Sequence, residues 1–193
     1  MERYFIFLAF LILNGCSVPV RPEPFEIGTT KDYLAGRSLP KPIPAPVAKS
    51  QRQQLYDWAQ SKVGQRETHG KNRSPFIDSL NRAAKVPMGS PYCGSFVGFG
   101  NAKFGFDIPK GYAWSPTWAA NERAVRVPDT MDVFTLFYPK LKRVGHVGFH
   151  VHTKGAHIET IESNTNDALS REGDGVYAKR RKKASIHRFT RWN

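Results

Sequence analysis

Cysteine is nearly missing from this chain: its 193 residues contain two, Cys16 and Cys93. That excludes the disulfide-dense scaffold of small secreted domains, so stability must come from burial. Acidic residues are scarce too, 16 against 29 Lys and Arg, which leaves a net charge of +13. Such an excess implies a polyanion in the protein's surroundings, set against the plainer reading of a solvated basic surface. The N-terminal apolar run, Tyr4 to Leu13, is only ten residues long and too short to span a bilayer as a helix. No internal repeat is evident.

What is present at the N-terminus reads as an export signal. Arg3 precedes the apolar run, and Leu13-Asn14-Gly15-Cys16 looks like the lipobox of a bacterial lipoprotein. Residues 1–15 would then be removed and Cys16 lipidated, leaving the protein tethered rather than spanning. An ordinary cleaved signal and a membrane anchor are the alternatives. Residues 16–49 form the tether, with seven prolines between positions 17 and 48, four of them alternating from Pro40 to Pro46. That alternation forbids helix and favours an extended spacer. An exported protein rarely meets nucleic acid, so anionic wall polymer or lipid headgroups suit the charge better. The densest basic stretch is Lys179-Arg180-Arg181-Lys182-Lys183.

The folded part is expected over residues 50–193, long enough for a real core. Leu55, Trp58, Ala59 and Val63 recur at helical spacing, with Ser50 as cap and Gly64 as terminator. A second helix follows Ser74 and Pro75, running to about residue 84. Pro87 to Pro91 forces a turn, and a glycine-rich helix is expected from Cys93. Beyond residue 130 the period changes to two. Strands are expected at 132–138, 144–152, 157–162, 176–181 and 186–192. Helices first and antiparallel strands afterwards indicate an α+β fold.

With Cys16 explained as an anchor, Cys93 is a lone thiol after a proline turn at a helix start. Unpaired N–H groups there favour a thiolate and could hold an oxyanion. Downstream, His146 lies in Gly-His-Val-Gly-Phe, and Glu162 and Asn164 lie in Glu-Ser-Asn. A thiol, a histidine on a strand and a polar residue to orient it are the parts of a cysteine nucleophile site. Hairpin arithmetic about Lys154-Gly155 sets residue 146 opposite 162 or 163 and His157 opposite 151 or 152. Glu162 would then accept the Nδ1 hydrogen of His146, with Asn164 two residues on along the same face. A displaced turn would make His157 the orienter instead. A zinc site on His146, His150 and His152 is the rival, although a four-residue span is too long for one ion without a bend. Otherwise His150 and His152 read as surface polar residues. Trp114 and Trp118 either wall a groove or belong to the core.

Tyr-Cys-Gly-Ser-Phe-Val at 92–97, Gly-His-Val-Gly-Phe at 145–149 and Ile-Glu-Ser-Asn-Thr-Asn at 161–166 together resemble the CHAP family of cysteine- and histidine-dependent amidohydrolases/peptidases. That family belongs to the papain-like NlpC superfamily of peptidoglycan hydrolases. The likeness extends to Arg171-Glu172-Gly173-Asp174-Gly175-Val176-Tyr177 and covers about residues 52–182. The spacing agrees: 53 residues from Cys93 to His146, 16 more to Glu162 and two more to Asn164. Tyr92 stands where the family commonly has tryptophan, and Ser163 replaces a frequent glycine. The resemblance implies a papain-like fold, Cys93 as nucleophile and His146 as general base and acid. Glu162 would orient His146, with Asn164 as a second polar member, and Tyr92 would serve as an aromatic wall beside Trp114 and Trp118.

The expected activity is therefore hydrolysis of an amide bond in peptidoglycan, as amidase or endopeptidase, by a monomer lipid-anchored at the cell envelope. No cofactor, metal or nucleic acid is needed. A secreted antibacterial effector with the same chemistry and an inactive wall-binding lipoprotein are the alternatives.

Overall fold

The structure is a computed structural model and describes residues 48–166 and 173–192. The expected signal, Cys16 and most of the expected tether lie outside the described residues.

Among the described residues three helices precede a six-stranded antiparallel sheet, an α+β arrangement. Helix α1 (Gln51–Lys62) starts where Ser50 Oγ accepts from Gln53 N at 3.2 Å. Helix α2 (Pro75–Ala83) is capped in the same way by Ser74 toward Ile77 N, with Pro75 in the first turn. Both caps satisfy a backbone donor that a helix start leaves open. Helix α3 (Cys93–Lys103) has no side-chain cap. The strands are β1 (Ala124–Val125), β2 (Val133–Tyr138), β3 (Arg143–Lys154), β4 (His157–Thr165), β5 (Gly175–Lys182) and β6 (Arg188–Thr190), in the order β1-β6-β2-β3-β4-β5. Two-residue β1 carries no periodic signal and was not expected. The last strand is shorter than the expected 186–192 because Ile186 follows a short 3-10 turn.

Alternation along the strands produces two apolar clusters. Val133, Val147, Phe149 and Ile161 pack with Leu55, Ile77, Leu80, Phe96 and Val97 of the helices. Phe134, Leu136, Ile158 and Phe189 form a second cluster. Partly buried Trp58 stacks on Phe96 with ring centroids 5.1 Å apart, and full burial of a side chain such as Phe96 contributes about 1.5–3 kcal/mol. The glycines of α3 permit close packing: a Cβ on Gly94 would lie 2.4 Å from Ala113 O, and one on Gly98 would overlap the Tyr112 ring. That contact seats the start of α3 against the 112–115 loop.

The β3–β4 hairpin differs from its expected register. Lys154 pairs with His157 across Gly155-Ala156, so the chain reverses about one residue later than Lys154-Gly155 predicts. Gly155 takes φ +58°, which glycine adopts without steric cost. A bulge between His150 and His152 then shifts the ladder, and Phe149 pairs with Ile161. Continuing that register brings Glu162 level with Gly148, so His146 and Glu162 meet diagonally on one face. His157 lies opposite Lys154 rather than residue 151 or 152.

Candidate active site

Cys93 opens α3 and is only 4% exposed. Its Sγ lies 3.3 Å from Ser115 Oγ, and His146 and the Gly94 backbone N–H both act on the thiol. His146 sits on β3 and is equally buried. Its Nε2 donates to Glu162 Oε2 at 2.9 Å, which leaves Nδ1 for the thiol. The ring is thus turned the other way from the expected Nδ1–Glu162 contact, although the partner is the expected residue.

Glu162 is fully buried and accepts four hydrogen bonds. Besides His146, Arg181 donates through Nε at 2.6 Å and Nη2 at 2.5 Å, and Thr160 Oγ1 donates at 2.6 Å. The side chain reaches His146 because Gly148 leaves room: a Cβ there would stand 3.0 Å from Glu162 Cγ.

These contacts set the protonation states. Burial pushes Glu162 up, but the Arg181 guanidinium and then His146 outweigh it and hold the carboxyl at about 2. Burial pushes His146 down, yet its bonds to Cys93 and Glu162 raise it to about 9. Burial pushes Cys93 up; the His146 hydrogen bond and charge, Ser115 and the Gly94 N–H bring it below its ordinary value. These contacts shift the pair toward a thiolate beside an imidazolium, held by a carboxylate. Such an arrangement could supply a nucleophile and a proton for a leaving group.

Cys93, Ser115 and His146 line a cleft of about 280 Å³, shared with Trp114, Tyr138 and Asn164. Trp114 is 59% exposed and in place to meet a ligand. Asn164 adopts φ +54°, a conformation asparagine tolerates. Tyr92 and Trp118 are not cleft walls as expected. Tyr92 is fully buried, its hydroxyl 3.5 Å from Glu67 and its carbonyl accepting from Ser163 Oγ. Trp118 is also buried, donating to Tyr112 O at 2.7 Å and standing edge-on to Trp192. Large rings beside a reactive residue are as useful for packing as for binding, and sequence alone does not separate the two uses.

The histidines of the rival metal site are kept apart. Both nitrogens of His150 are occupied, Nδ1 with Asp129 O at 2.9 Å and Nε2 with Thr153 Oγ1 at 2.8 Å. His150 is buried, not a surface residue as expected, whereas His152 is exposed beyond the bulge. His157 bonds Arg180 through Nδ1. Ser115, Thr160 and Arg181 were missed by sequence reasoning. Strand alternation does place Arg181 on the face of Tyr177 and Lys179; what was lacking was the β4–β5 register, in which Glu162 pairs with Tyr177. No protein-family model matches this chain, and no significant match to it occurs among curated proteins.

Proposed function

We propose that the protein is an exported cysteine hydrolase of the CHAP type, papain-like in fold, that cuts an amide bond in peptidoglycan. The observation that carries this reading is the buried Cys93–His146–Glu162 array, with its thiol at a helix start and open to a cleft. In the reaction, the Cys93 thiolate attacks the amide carbonyl carbon and forms a C–S bond. The resulting oxyanion is met by N–H groups at the start of α3. As the C–N bond breaks, imidazolium His146 gives its Nδ1 proton to the departing amine, leaving a thioester. Water then attacks the thioester while His146 takes its proton. The carboxylic acid leaves, and thiolate and imidazolium are restored.

Incubation with purified sacculi and mass spectrometry of the released muropeptides is the test. Wild type should release defined fragments, and iodoacetamide should stop it. Cys93→Ala should be inactive but folded. Hydrolysis that survives in Cys93→Ala, or that EDTA removes and zinc restores, would overturn the thiol mechanism. Lipid attachment at Cys16 is part of the same proposal. Cys16→Ser should release the protein from the membrane fraction, and an intact mass without acyl chains on the wild type would exclude the anchor.

A further inference from the structure

We propose that Arg143 selects substrates that carry a carboxylate next to the scissile amide. This rests on the hydrolase reading above and adds the substrate feature that the cleft recognises.

Arg143 lines the cleft with Cys93 and His146, three residues upstream of the histidine. The β2–β3 hairpin holds it there. Tyr138 pairs with Arg143 as the last rung, Pro139–Leu141 make a single 3-10 turn, and Lys142 closes it at φ +51°. The Tyr138 ring lies over Gly145, where a Cβ would come 2.4 Å from the ring. The base of Arg143 is therefore set by a short, packed connection.

Among the described residues its charge is unmatched. Arg52, Arg73, Arg123, Arg181 and Arg191 each pair with an aspartate or glutamate. Among the described residues no carboxylate pairs with Arg143, and its hydrogen bond is one, from Nη1 to Val144 O at 2.9 Å. A guanidinium has five N–H donors, so a two-pronged edge remains for a ligand. None of the cleft-lining residues is Asp or Glu. The other cation there, His146, is already balanced by Glu162 and by the thiolate. A partly buried guanidinium in a cleft that it shares with Trp114 and Tyr138, and that among the described residues has no acid, fits a carboxylate better than a neutral or cationic group. A peptide amide with a neighbouring carboxylate supplies that group within reach of Cys93.

Two measurements test this on wild type, Arg143→Gln and Arg143→Lys. The first compares alkylation of Cys93 by iodoacetate and by iodoacetamide, which are alike in size and differ in charge. Arg143→Gln should lower the iodoacetate-to-iodoacetamide rate ratio by about fivefold, and Arg143→Lys should retain most of it. The second compares muropeptides with free carboxylates against the same muropeptides converted to carboxamides. Wild type should favour the free form in kcat/KM by about tenfold or more, and Arg143→Gln should lose that preference. An unchanged rate ratio in Arg143→Gln, or equal cleavage of the two forms by wild type, overturns the proposal. If wild type cuts neither form the hydrolase reading fails, and the alkylation ratio still decides whether Arg143 governs anion entry.

Discussion

Replacing Glu162 with Gln tests the site at the point where charge, burial and geometry converge. The carboxylate takes donors from His146, Arg181 and Thr160, and it is fully buried. A carboxamide has one acceptor oxygen, and its NH2 would face the N–H of either Arg181 or His146. The depression of Glu162 from 4.5 to about 2 corresponds to roughly 3 kcal/mol of native-state stabilisation. That agrees with the ~3–5 kcal/mol lost when one partner of a buried pair is removed. In wild type this contribution is present above pH 4.5 and is lost as pH falls toward 2, so acid unfolding should flatten in Glu162→Gln. His146 has the opposite sign: its contribution is present below pH 6.5 and is lost as pH rises through about 9. Without Glu162, Cys93 alone remains to oppose burial, and the imidazole becomes neutral at lower pH. Turnover should fall by about one to two orders of magnitude, and the alkaline limb of the pH–rate profile should move down from about 9. Thermal unfolding, iodoacetamide alkylation against pH and turnover on sacculi measure the three effects. Adding Arg181→Met should recover part of the stability by removing the stranded cation, without recovering turnover. Wild-type alkylation and turnover profiles in Glu162→Gln would refute the argument that this carboxylate governs His146.

The other predictions are smaller. Ser115→Ala removes one hydrogen bond to the thiolate, so iodoacetamide alkylation at pH 6 should slow by about three- to tenfold while that at pH 10 is unchanged; equal rates at both pH values would free Ser115 of any part in the site. His157→Ala should change stability by no more than about 0.5 kcal/mol and leave turnover within about twofold. A tenfold loss in turnover there would return His157 to the role of orienter.

The helices were legible because each carries its own local signals. Ser50 and Ser74 precede apolar residues at helical spacing, and Gly64 and Pro75 mark a stop and a start that neighbouring residues cannot override. The change from period 3.6 to period 2 likewise announced helices before strands. Spacing and residue type sufficed to single out Cys93, His146 and Glu162, because a lone thiol and a strand histidine have few other joint uses.

Tertiary structure decided the rest, since each remaining point depends on register or burial. The bulge after His150 makes Glu162 a diagonal partner and gives it Nε2 rather than Nδ1. Packing turned Tyr92 and Trp118 into core and left Trp114 exposed, although all three are large aromatics near the cleft. Arg181 was read from sequence as part of a basic surface run. The β4–β5 register instead turns that one arginine inward onto Glu162, while Arg180 and Lys182 stay exposed on the opposite face. Local sequence determines where a strand forms and which residues alternate; the partner each residue meets is determined by the strand beside it.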